Sequence, residues 1–297
     1  MKIQQLAGLT AAFLLACPAL AQEEISFKST QLADGLYMLE GVGGFTGGNL
    51  GLLAGADGVV LIDDGLEQYS AKLLTTVAAT ADAPVDFVIN THVHGDHVGG
   101  NAALHAQGAR VVAHDSIRVR MLEADTAAAA LPELTFTDEI SFHLNGQSMQ
   151  IMHVAQAHTD GDAVILFPDA NAIHTGDVMF NGLFPFIDLD SGGTVSGFIE
   201  AQTRLIELSD EETRIIPGHG PLANRADLVR ARDMLVDAAA RVQALLDRGL
   251  DADAIKAANP LADYHDNWNW GFITTERMTE TLLRALESPN RPPPPRL

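Results

Sequence analysis

The sequence predicts a mixed α/β fold in which β-sheets are covered by helices and closed by a helical C-terminal cap. Short strand-type segments punctuated by Gly-rich turns occur in two successive sets. Helical segments lie between the strands of the first set. After residue 225 the composition becomes rich in Ala, Leu and Arg with helical periodicity, which indicates the cap.

The first set of strands lies between residues 36 and 113. The predicted strands cover residues 36–40, 49–53, 59–62, 85–90 and 110–113. Helices are predicted at residues 66–79, 98–107 and 116–124. The segment 85–90 is apolar enough for a buried strand, and it runs directly into a histidine-rich loop.

The second set of strands precedes the helical cap. Its predicted strands cover residues 140–142, 149–153, 163–167 and 172–174. An extended segment at 213–217 follows, and helices are predicted at 226–248, 252–258 and 275–286. Residues 292–295 are four prolines, which predicts a solvated tail.

Composition excludes several classes of protein. A chain of 297 residues with 47% apolar residues is long and apolar enough to bury one large core or two modest ones, so it is not a disordered chain. Its 39 acidic and 18 basic residues give a formal charge of −21, which argues against nucleic acid as a partner. A single cysteine excludes a disulfide scaffold and a Cys-rich metal cluster.

The N-terminus has the pattern of a secretory signal. One cation, Lys2, precedes an apolar run at residues 6–15, and Ala19-Leu20-Ala21 is a small-x-small cleavage site. Residues 1–21 are therefore predicted to be a signal peptide, and the protein to be periplasmic or secreted. An alternative is a lipoprotein attached through Cys17. No second apolar segment is long enough for an integral membrane span.

Four potential metal ligands follow the buried strand at residues 85–90, in the motif His92-x-His94-x-Asp96-His97. On an extended backbone, His92 and His94 project to the same side and can bind one ion. Asp96 and His97 are adjacent, and adjacent side chains usually diverge. Two neighbouring ions therefore accommodate these four donors better than one.

Three further donors occur where predicted strands end. His158 lies in a turn between two strands, Asp177 follows the short apolar strand at 172–174, and His219 follows residues 213–217. Each lies in or beside a Gly-containing loop. Imidazole and carboxylate ligands without thiolate suit Zn²⁺, and an oxygen-rich second site also tolerates Mn or Fe.

Taken in order, these motifs resemble those of the metallo-β-lactamase superfamily. The resemblance implies an αββα sandwich (the metallo-β-lactamase fold) with two zinc ions between the sheets and a helical C-terminal extension. It also implies a role for each donor: His92, His94 and His158 bind the first metal, Asp96, His97 and His219 bind the second, Asp177 bridges them, and Asp63 orients the histidine loop from outside the ligand set. The implied domains are residues 22–225 for the metallo-β-lactamase fold, 226–290 for a helical extension packed on it, and 291–297 for the Pro-rich tail.

The implied activity is hydrolysis of a small-molecule carbonyl substrate. Two divalent ions that share a water lower its pKa and supply a bridging hydroxide, and Asp96 is expected to be the catalytic proton shuttle. Export favours a β-lactamase that confers antibiotic resistance. The alternatives are a lactonase or thioesterase acting on another small substrate, and a non-enzymatic metal-binding accessory protein of a quinoprotein system.

Two residues depart from the thiolate-containing lactamases. Asp177 stands where they have Cys, and Phe180 stands where they commonly have a Lys that binds the antibiotic carboxylate. An anchor for a substrate carboxylate is then expected from Arg, a hydroxyl group or backbone N–H.

Candidate substrate contacts are aromatic. The Gly-rich segment 43–48 resembles the mobile hairpin loop that covers substrates in lactamases, with Phe45 as its apolar contact. Phe180, Phe184 and Trp268 are further candidates, and Phe186 and Trp270 complete a possible aromatic wall.

Overall fold

The computed structural model describes residues 24–287. The predicted signal peptide at 1–21, including Cys17, and the predicted tail at 291–297 lie outside the described residues.

The first sheet has seven strands whose spatial order follows the chain. They are β1 (Ser26–Ala33), β2 (Leu36–Val42), β3 (Leu50–Gly55), β4 (Gly58–Ile62), β5 (Phe87–Ile89), β6 (Arg110–His114) and β7 (Leu134–Phe136). Strands β1 to β4 pair antiparallel, and β4 to β7 pair parallel. The parallel strands all end at the same edge, so the loop after β5 lies at that edge.

The second sheet has six strands in the order β13-β12-β11-β10-β9-β8. They are β8 (Glu139–Leu144), β9 (Gln147–Val154), β10 (Asp162–Phe167), β11 (Ala172–His174), β12 (Arg214–Ile216) and β13 (Ala223–Asn224). Only β11 and β12 pair parallel. Their carboxyl ends therefore also meet at one edge.

Nine α-helices accompany the sheets in residues 24–287. They are α1 (Ser70–Ala81), α2 (Gly95–Val98), α3 (Asn101–His105), α4 (Asp115–Glu123), α5 (Val195–Glu207), α6 (Arg225–Asp247), α7 (Ala252–Ala258), α8 (His265–Trp268) and α9 (Thr275–Glu287).

Apolar side chains between the two sheets form the central core. Met38 and Ile62 of the first sheet pack with Ile151, Ile165 and Phe167 of the second, and all five are essentially inaccessible to solvent. Each such side chain contributes about 1.5–3 kcal/mol to folding when it is fully buried. The two inner faces thus hold the sandwich together.

Helices cover both outer faces. Leu73 and Val77 of α1 pack on the outer face of the first sheet. Ala201 and Leu205 of α5 pack on the outer face of the second, beside Val164. The arrangement is the αββα sandwich implied by the resemblance, and the predicted fold class is confirmed.

Helices α6, α7 and α9 form the predicted helical C-terminal region. Leu235 and Val242 of α6 pack with Leu282 of α9 around the buried rings of Phe184 and Phe198. A capping box between Asn224 and Asp227 begins α6. The region is thereby attached to the sandwich through a shared apolar cluster.

Within residues 24–287, no helix has both the length and the apolar character needed to cross a bilayer.

Candidate metal centre

The histidine loop begins where β5 ends. Asn90 still hydrogen-bonds to β6 through its backbone, and residues 91–94 then leave the sheet. His94 is the extended residue before α2, and this short helix carries Asp96 and His97. Gly95 faces open space, so the turn into α2 is not crowded. The strand and the short helix together present His92, His94, Asp96 and His97 at one edge of the sandwich.

The second sheet presents the other three donors at the same edge. His158 lies between β9 and β10, Asp177 lies in a single 3-10 turn after β11, and His219 follows β12. The loops approach closely, because a Cβ atom on Gly218 would lie only 2.0 Å from Oδ1 of Asp177. The same Cβ atom would lie 2.7 Å from the backbone carbonyl carbon of Gly176, so glycine is required there.

One group of donors consists of His92, His94, His158 and Asp177, whose ligand atoms all lie within 4.8 Å of one another. Oδ2 of Asp177 lies 3.7 Å from Nε2 of His92 and 3.5 Å from Nε2 of His158. Nδ1 of His94 lies 2.8 Å from Nε2 of His158.

The second group consists of Asp96, His97 and His219, within the same limit. Oδ2 of Asp96 lies 3.7 Å from Nε2 of His97 and 3.5 Å from Nε2 of His219. Asp177 also faces this group, with Oδ1 at 3.2 Å from His97 and Oδ2 at 3.5 Å from His219. All seven predicted donors therefore lie together, and Asp177 lies between the two groups.

The hydrogen bonds on the outer nitrogens direct free lone pairs inward. Nδ1 of His158 donates to the carbonyl of Phe186 at 2.8 Å, and Nε2 of His94 donates to Asp188 at 3.0 Å. The two facing nitrogens at 2.8 Å are then both unprotonated in neutral rings. Such a pair repels unless a cation lies beside it, so the donor set fits a metal ion.

Buried atoms without partners support the same conclusion. Nε2 of His92, Nε2 of His97 and Oδ1 of Asp177 are inaccessible to solvent and have no hydrogen-bond partner within the described residues. Leaving a polar atom unsatisfied in a protein interior costs about 1–3 kcal/mol. A divalent cation satisfies such atoms, and zinc is the usual ion for His and Asp ligands in this kind of cluster.

Charges within the cluster shift its pKa values in opposite directions. Burial raises the pKa of Asp177, but His219, His97 and His92 together bring that pKa well below its ordinary value. Burial lowers the pKa of His219, and Asp177 and Asp96 reverse this and raise it to about 9. Burial together with His97 lowers the pKa of His92. The cluster is therefore organised around a carboxylate that stays ionised.

Asp63 supports the histidine loop from behind. Its Oδ2 accepts from Nδ1 of His97 at 2.7 Å and from the hydroxyl of Thr91 at 2.7 Å, and its Oδ1 accepts from the backbone N–H of Thr91. Nδ1 of His92 lies 3.1 Å from the same hydroxyl. Asp63 thus orients two imidazoles of the cluster, in the position that the resemblance implies.

Asp188 accepts a hydrogen bond from His94, as Asp63 does from His97. The sequence did not predict this contact. Burial raises its pKa, but hydrogen bonds from His94 and Ser191 bring that pKa well below its usual value. The backbone N–H of Asp188 also donates to the carbonyl of His158. No spacing rule links residues 94 and 188, so only the folded chain reveals this contact.

Aromatic rings surround His219 at the mouth of the cluster. Phe45 stacks on its ring at 5.9 Å, Phe180 stacks at 5.1 Å, and Trp270 lies at 6.1 Å. Phe45 is 57% exposed although it is apolar. A cavity of about 210 Å³ lies between Phe45, Trp270 and Leu183 and reaches His219.

Of the predicted substrate contacts, Phe184 is buried away from the cleft, and Trp268 makes no ring contact with the donors in the described residues. Phe184 has no exposed surface and packs in the C-terminal apolar cluster, which corrects the expectation that it lines the cleft. Trp268 packs against the same cluster and accepts a backbone hydrogen bond from Phe184. Phe180 is also buried, but its ring touches His219 and His158. The tryptophan at the mouth is Trp270, which donates from Nε1 to the carbonyl of Phe184.

A larger cavity, of about 660 Å³, lies between β9 and α5 and is lined by His153, Glu139 and Arg204 among others. None of the seven donors lines it. Its size alone does not make it the functional site.

The sandwich and its edge cluster define an α/β protein with a candidate metal centre at one edge of its two sheets. A sequence model described as the Metallo-beta-lactamase superfamily matches residues 43–219, which is more than half of the chain. The chain belongs to this superfamily.

Curated relatives carry two different names. A hydroxyacylglutathione hydrolase of Polaromonas sp. is 28% identical over 174 residues, covering 58% of this chain and 61% of the relative. A metallo-beta-lactamase type 2 of Bacteroides fragilis is 23% identical over 161 residues, covering 54% and 64%. The chain thus spans less than two thirds of the length of each of these relatives.

Solved structures share the fold. A metallo-beta-lactamase from Pontibacter korlensis has a TM-score of 0.62 and 20% identity over 71% of this chain and 100% of that chain. One from Hirschia baltica has a TM-score of 0.61 and 18% identity over 71% and 98%.

Proposed function

We propose that this protein is an exported hydrolase with two zinc ions that opens a small carbonyl substrate, and that a β-lactam ring is its first candidate substrate. The observation that carries the proposal is the position of Asp177. One of its oxygens faces His97, and the other faces His92, His158 and His219. A single carboxylate is thereby shared by two complete donor groups.

The same donor groups assign the ligands. The first ion would be held by His92, His94 and His158, the second by Asp96, His97 and His219, with Asp177 common to both. The oxygen-rich second site would also accept Mn or Fe. When bound, such ions polarise a carbonyl group and acidify water.

Asp96 is the proposed proton acceptor. Its side chain is 22% exposed, whereas that of His97 is fully buried, so Asp96 reaches the mouth of the cluster. Burial raises its pKa, but His97 and His219 bring that pKa below its usual value, so the carboxylate is ionised at neutral pH. An ionised oxygen at the mouth can take the proton that a water loses and return it to the leaving group.

The β-lactam candidate is supported by the superfamily, by the Bacteroides fragilis relative and by the predicted export. A second candidate is thioester hydrolysis. It is favoured by a carboxylate, Asp177, at the shared position and by the hydroxyacylglutathione hydrolases among the relatives. Lactone hydrolysis belongs to the same group of reactions.

A panel of substrates tests the proposal. Purified protein lacking residues 1–21, with its zinc content measured, is assayed with nitrocefin, an acyl-homoserine lactone and S-lactoylglutathione. We expect turnover of at least one, with about two zinc ions per chain. In His94→Ala we expect activity to disappear and about one zinc equivalent to be lost. His143→Ala is the matched control, because His143 is an exposed histidine away from the cluster.

The outcomes separate the candidates. Preferential hydrolysis of nitrocefin supports the lactamase, and preferential hydrolysis of lactoylglutathione supports the thioesterase. Hydrolysis of none of the three, with zinc bound, would leave the accessory metal-binding protein in its place. Export is tested separately by sequencing the N-terminus of protein from a periplasmic fraction, where Gln22 is expected first.

A further inference from the structure

We propose that Arg277 is a specificity-determining residue that binds a carboxylate group of the substrate beside the metal cluster. The proposal rests on the hydrolase function above and adds the chemical class of its substrate: a small carboxylic acid with a hydrolysable carbonyl and an apolar group. The observation that carries it is a cation placed in the aromatic wall of the site.

Arg277 lies in the first turn of α9, and one aromatic ring separates it from the donors. Its guanidinium carbon lies 5.5 Å from the centre of the Phe186 ring. The same ring lies 5.5 Å from His94 and 5.7 Å from His158. A substrate whose carbonyl lies at the cluster therefore needs to extend only across Phe186 to reach the guanidinium.

The guanidinium group remains available for a ligand. It lies 4.2 Å from the centre of the Phe272 ring, and one of its N–H groups donates to the carbonyl of Phe272 at 2.9 Å. Within residues 24–287, no carboxylate lies within ion-pair distance of it. By contrast, Arg284 on the same helix is paired with Asp190 at 2.9 Å.

The contacts of Arg277 orient it without neutralising it. Stacking on Phe272 and the hydrogen bond to the Phe272 carbonyl restrict the rotamers of the side chain. A guanidinium held in this way still presents several N–H groups in a plane, and this geometry matches the two oxygens of a carboxylate.

The neighbouring surface suits an apolar group on the same substrate. Phe272 is 46% exposed, and its ring lies 5.4 Å from Phe186 and 5.6 Å from Trp270. Trp270 in turn borders the cavity beside His219. Exposed rings that join a cation to a concave site are typical of ligand contacts.

Three residues of this surface lie in the part of the chain beyond the superfamily match. That match ends at residue 219, whereas Trp270, Phe272 and Arg277 come from the C-terminal helical region. The chain carries a formal charge of −21, which repels anionic ligands in general. A positioned arginine at the mouth offsets this repulsion locally and selects acids that also fit the wall.

Paired esters test the proposal on the zinc-loaded enzyme. One substrate is the mono-4-nitrophenyl ester of glutaric acid, which carries a free carboxylate, and the other is the neutral 4-nitrophenyl butyrate. In Arg277→Met we expect kcat/KM for the acidic ester to fall about ten- to 100-fold, mainly through KM, because a charge-assisted hydrogen bond is lost. The neutral ester should change less than about twofold. Arg277→Lys should retain part of the preference, since it keeps the charge but not the planar geometry.

Inhibition supplies a readout that does not depend on the reacting group. The inhibition constant of 3-phenylpropionate should rise in Arg277→Met, and that of neutral 3-phenylpropionamide should not. Arg284→Met is the matched control, because it removes the same charge from the same helix at an arginine that already has a carboxylate partner.

Three results would overturn the assignment. An equal loss on both esters would show that Arg277 only supports the wall. No change on either ester, or an equal effect in Arg284→Met, would show that the guanidinium does not contact substrate. If the wild-type enzyme hydrolyses neither ester nor any substrate of the panel, the hydrolase proposal fails. In that case, the binding of 3-phenylpropionate to wild type and to Arg277→Met, measured by calorimetry, tests the role of Arg277 independently of hydrolysis.

Discussion

Oδ2 of Asp63 lies 2.7 Å from Nδ1 of His97, and both side chains are fully buried. The contact fixes which nitrogen of His97 carries the proton and points the other one, Nε2, at Asp177. The same oxygen accepts from Thr91, so one carboxylate sets the orientation of the whole histidine loop.

Replacing Asp63 with Asn is expected to weaken zinc binding about ten- to 100-fold. The Asn side chain has an NH2 group in place of one of the two accepting oxygens. This NH2 group then faces the N–H of His97 or of Thr91, and two donors cannot hydrogen-bond to each other. Competition with a chromophoric chelator measures the affinity. Asp82→Asn is the control. Asp82 has a positive φ, as Asp63 does, and Asn tolerates this conformation. Asp82 is exposed at the end of α1. Unchanged affinity in Asp63→Asn would contradict the orienting role.

Replacing Asp188 with Asn is expected to weaken the first zinc site by about tenfold and to leave the second nearly intact, because His94 is the donor that the carboxylate of Asp188 contacts. Zinc content after dialysis against increasing concentrations of chelator distinguishes the two sites. Asp125→Asn, an exposed change with no contact to the cluster, serves as the comparison. Equal weakening of both sites would show a general loss of structure rather than a local effect on His94.

Replacing Gly48 with Ala is expected to remove the second zinc site. A Cβ atom at residue 48 would lie 2.2 Å from Cε1 of His97 and 3.0 Å from the carbonyl oxygen of Gly218, so the imidazole has to move. Mass spectrometry under native conditions should show about one zinc ion per chain. Gly95→Ala changes a glycine in the histidine loop itself, but its Cβ position has open space around it, so this variant should retain both ions. Two ions bound to Gly48→Ala would show that the loop relaxes around the new methyl group.

The C-terminal helices are expected to lose stability at alkaline pH. Burial and the hydrogen bond to Asp237 raise the pKa of Tyr264 to about 12 from its ordinary value of 10. Because the folded state holds this proton more tightly, the contribution is complete below about pH 10 and is lost as the pH rises towards 12. Denaturant unfolding followed by circular dichroism between pH 9 and 12 should show a smaller decline in Tyr264→Phe than in wild type. Tyr69→Phe, which leaves the Tyr264–Asp237 pair intact, should behave like wild type.

Local sequence patterns predicted most helices and strands, because in these segments the tertiary packing favours the same structure as the intrinsic propensity of the residues. The helix predicted at 252–258 has the bounds of α7, and the long helix predicted at 226–248 differs from α6 by one residue at each end. Strand β1 was not predicted, since only Phe27 and Leu32 of its eight residues are buried and the alternation is weak.

Helix α5 was not predicted either, and its sequence shows why. Gly197 in the first turn lowers helix propensity. In the folded chain a Cβ atom there would lie 2.1 Å from the carbonyl oxygen of Gln156, so the glycine is retained for a close tertiary approach. Such a contact leaves no trace in local periodicity.

The candidate site also has parts that the sequence predicted and parts that it did not. Each of the seven donors lies in its own motif at a strand end, and the fold brings them together because parallel strands share an edge. Asp188 reaches His94 across 94 positions, for which no pattern exists. Trp268 and Trp270 differ by only two residues, and the irregular backbone around them decides which one faces His219. The ligand roles and the domain boundaries stay predictions until metal content and truncations are measured.

The seven donors are divided along the polypeptide, with four before residue 98 and three after residue 157. Of the seven donors, a nascent chain that has emerged only as far as β7 contains the four in the histidine loop. The proposed donor set is complete only when His219 has been made and the second sheet has closed on the first. Zinc acquisition should therefore report the final docking of the two sheets, and polypeptides 24–137 and 138–287 should each bind zinc weakly when they are made apart.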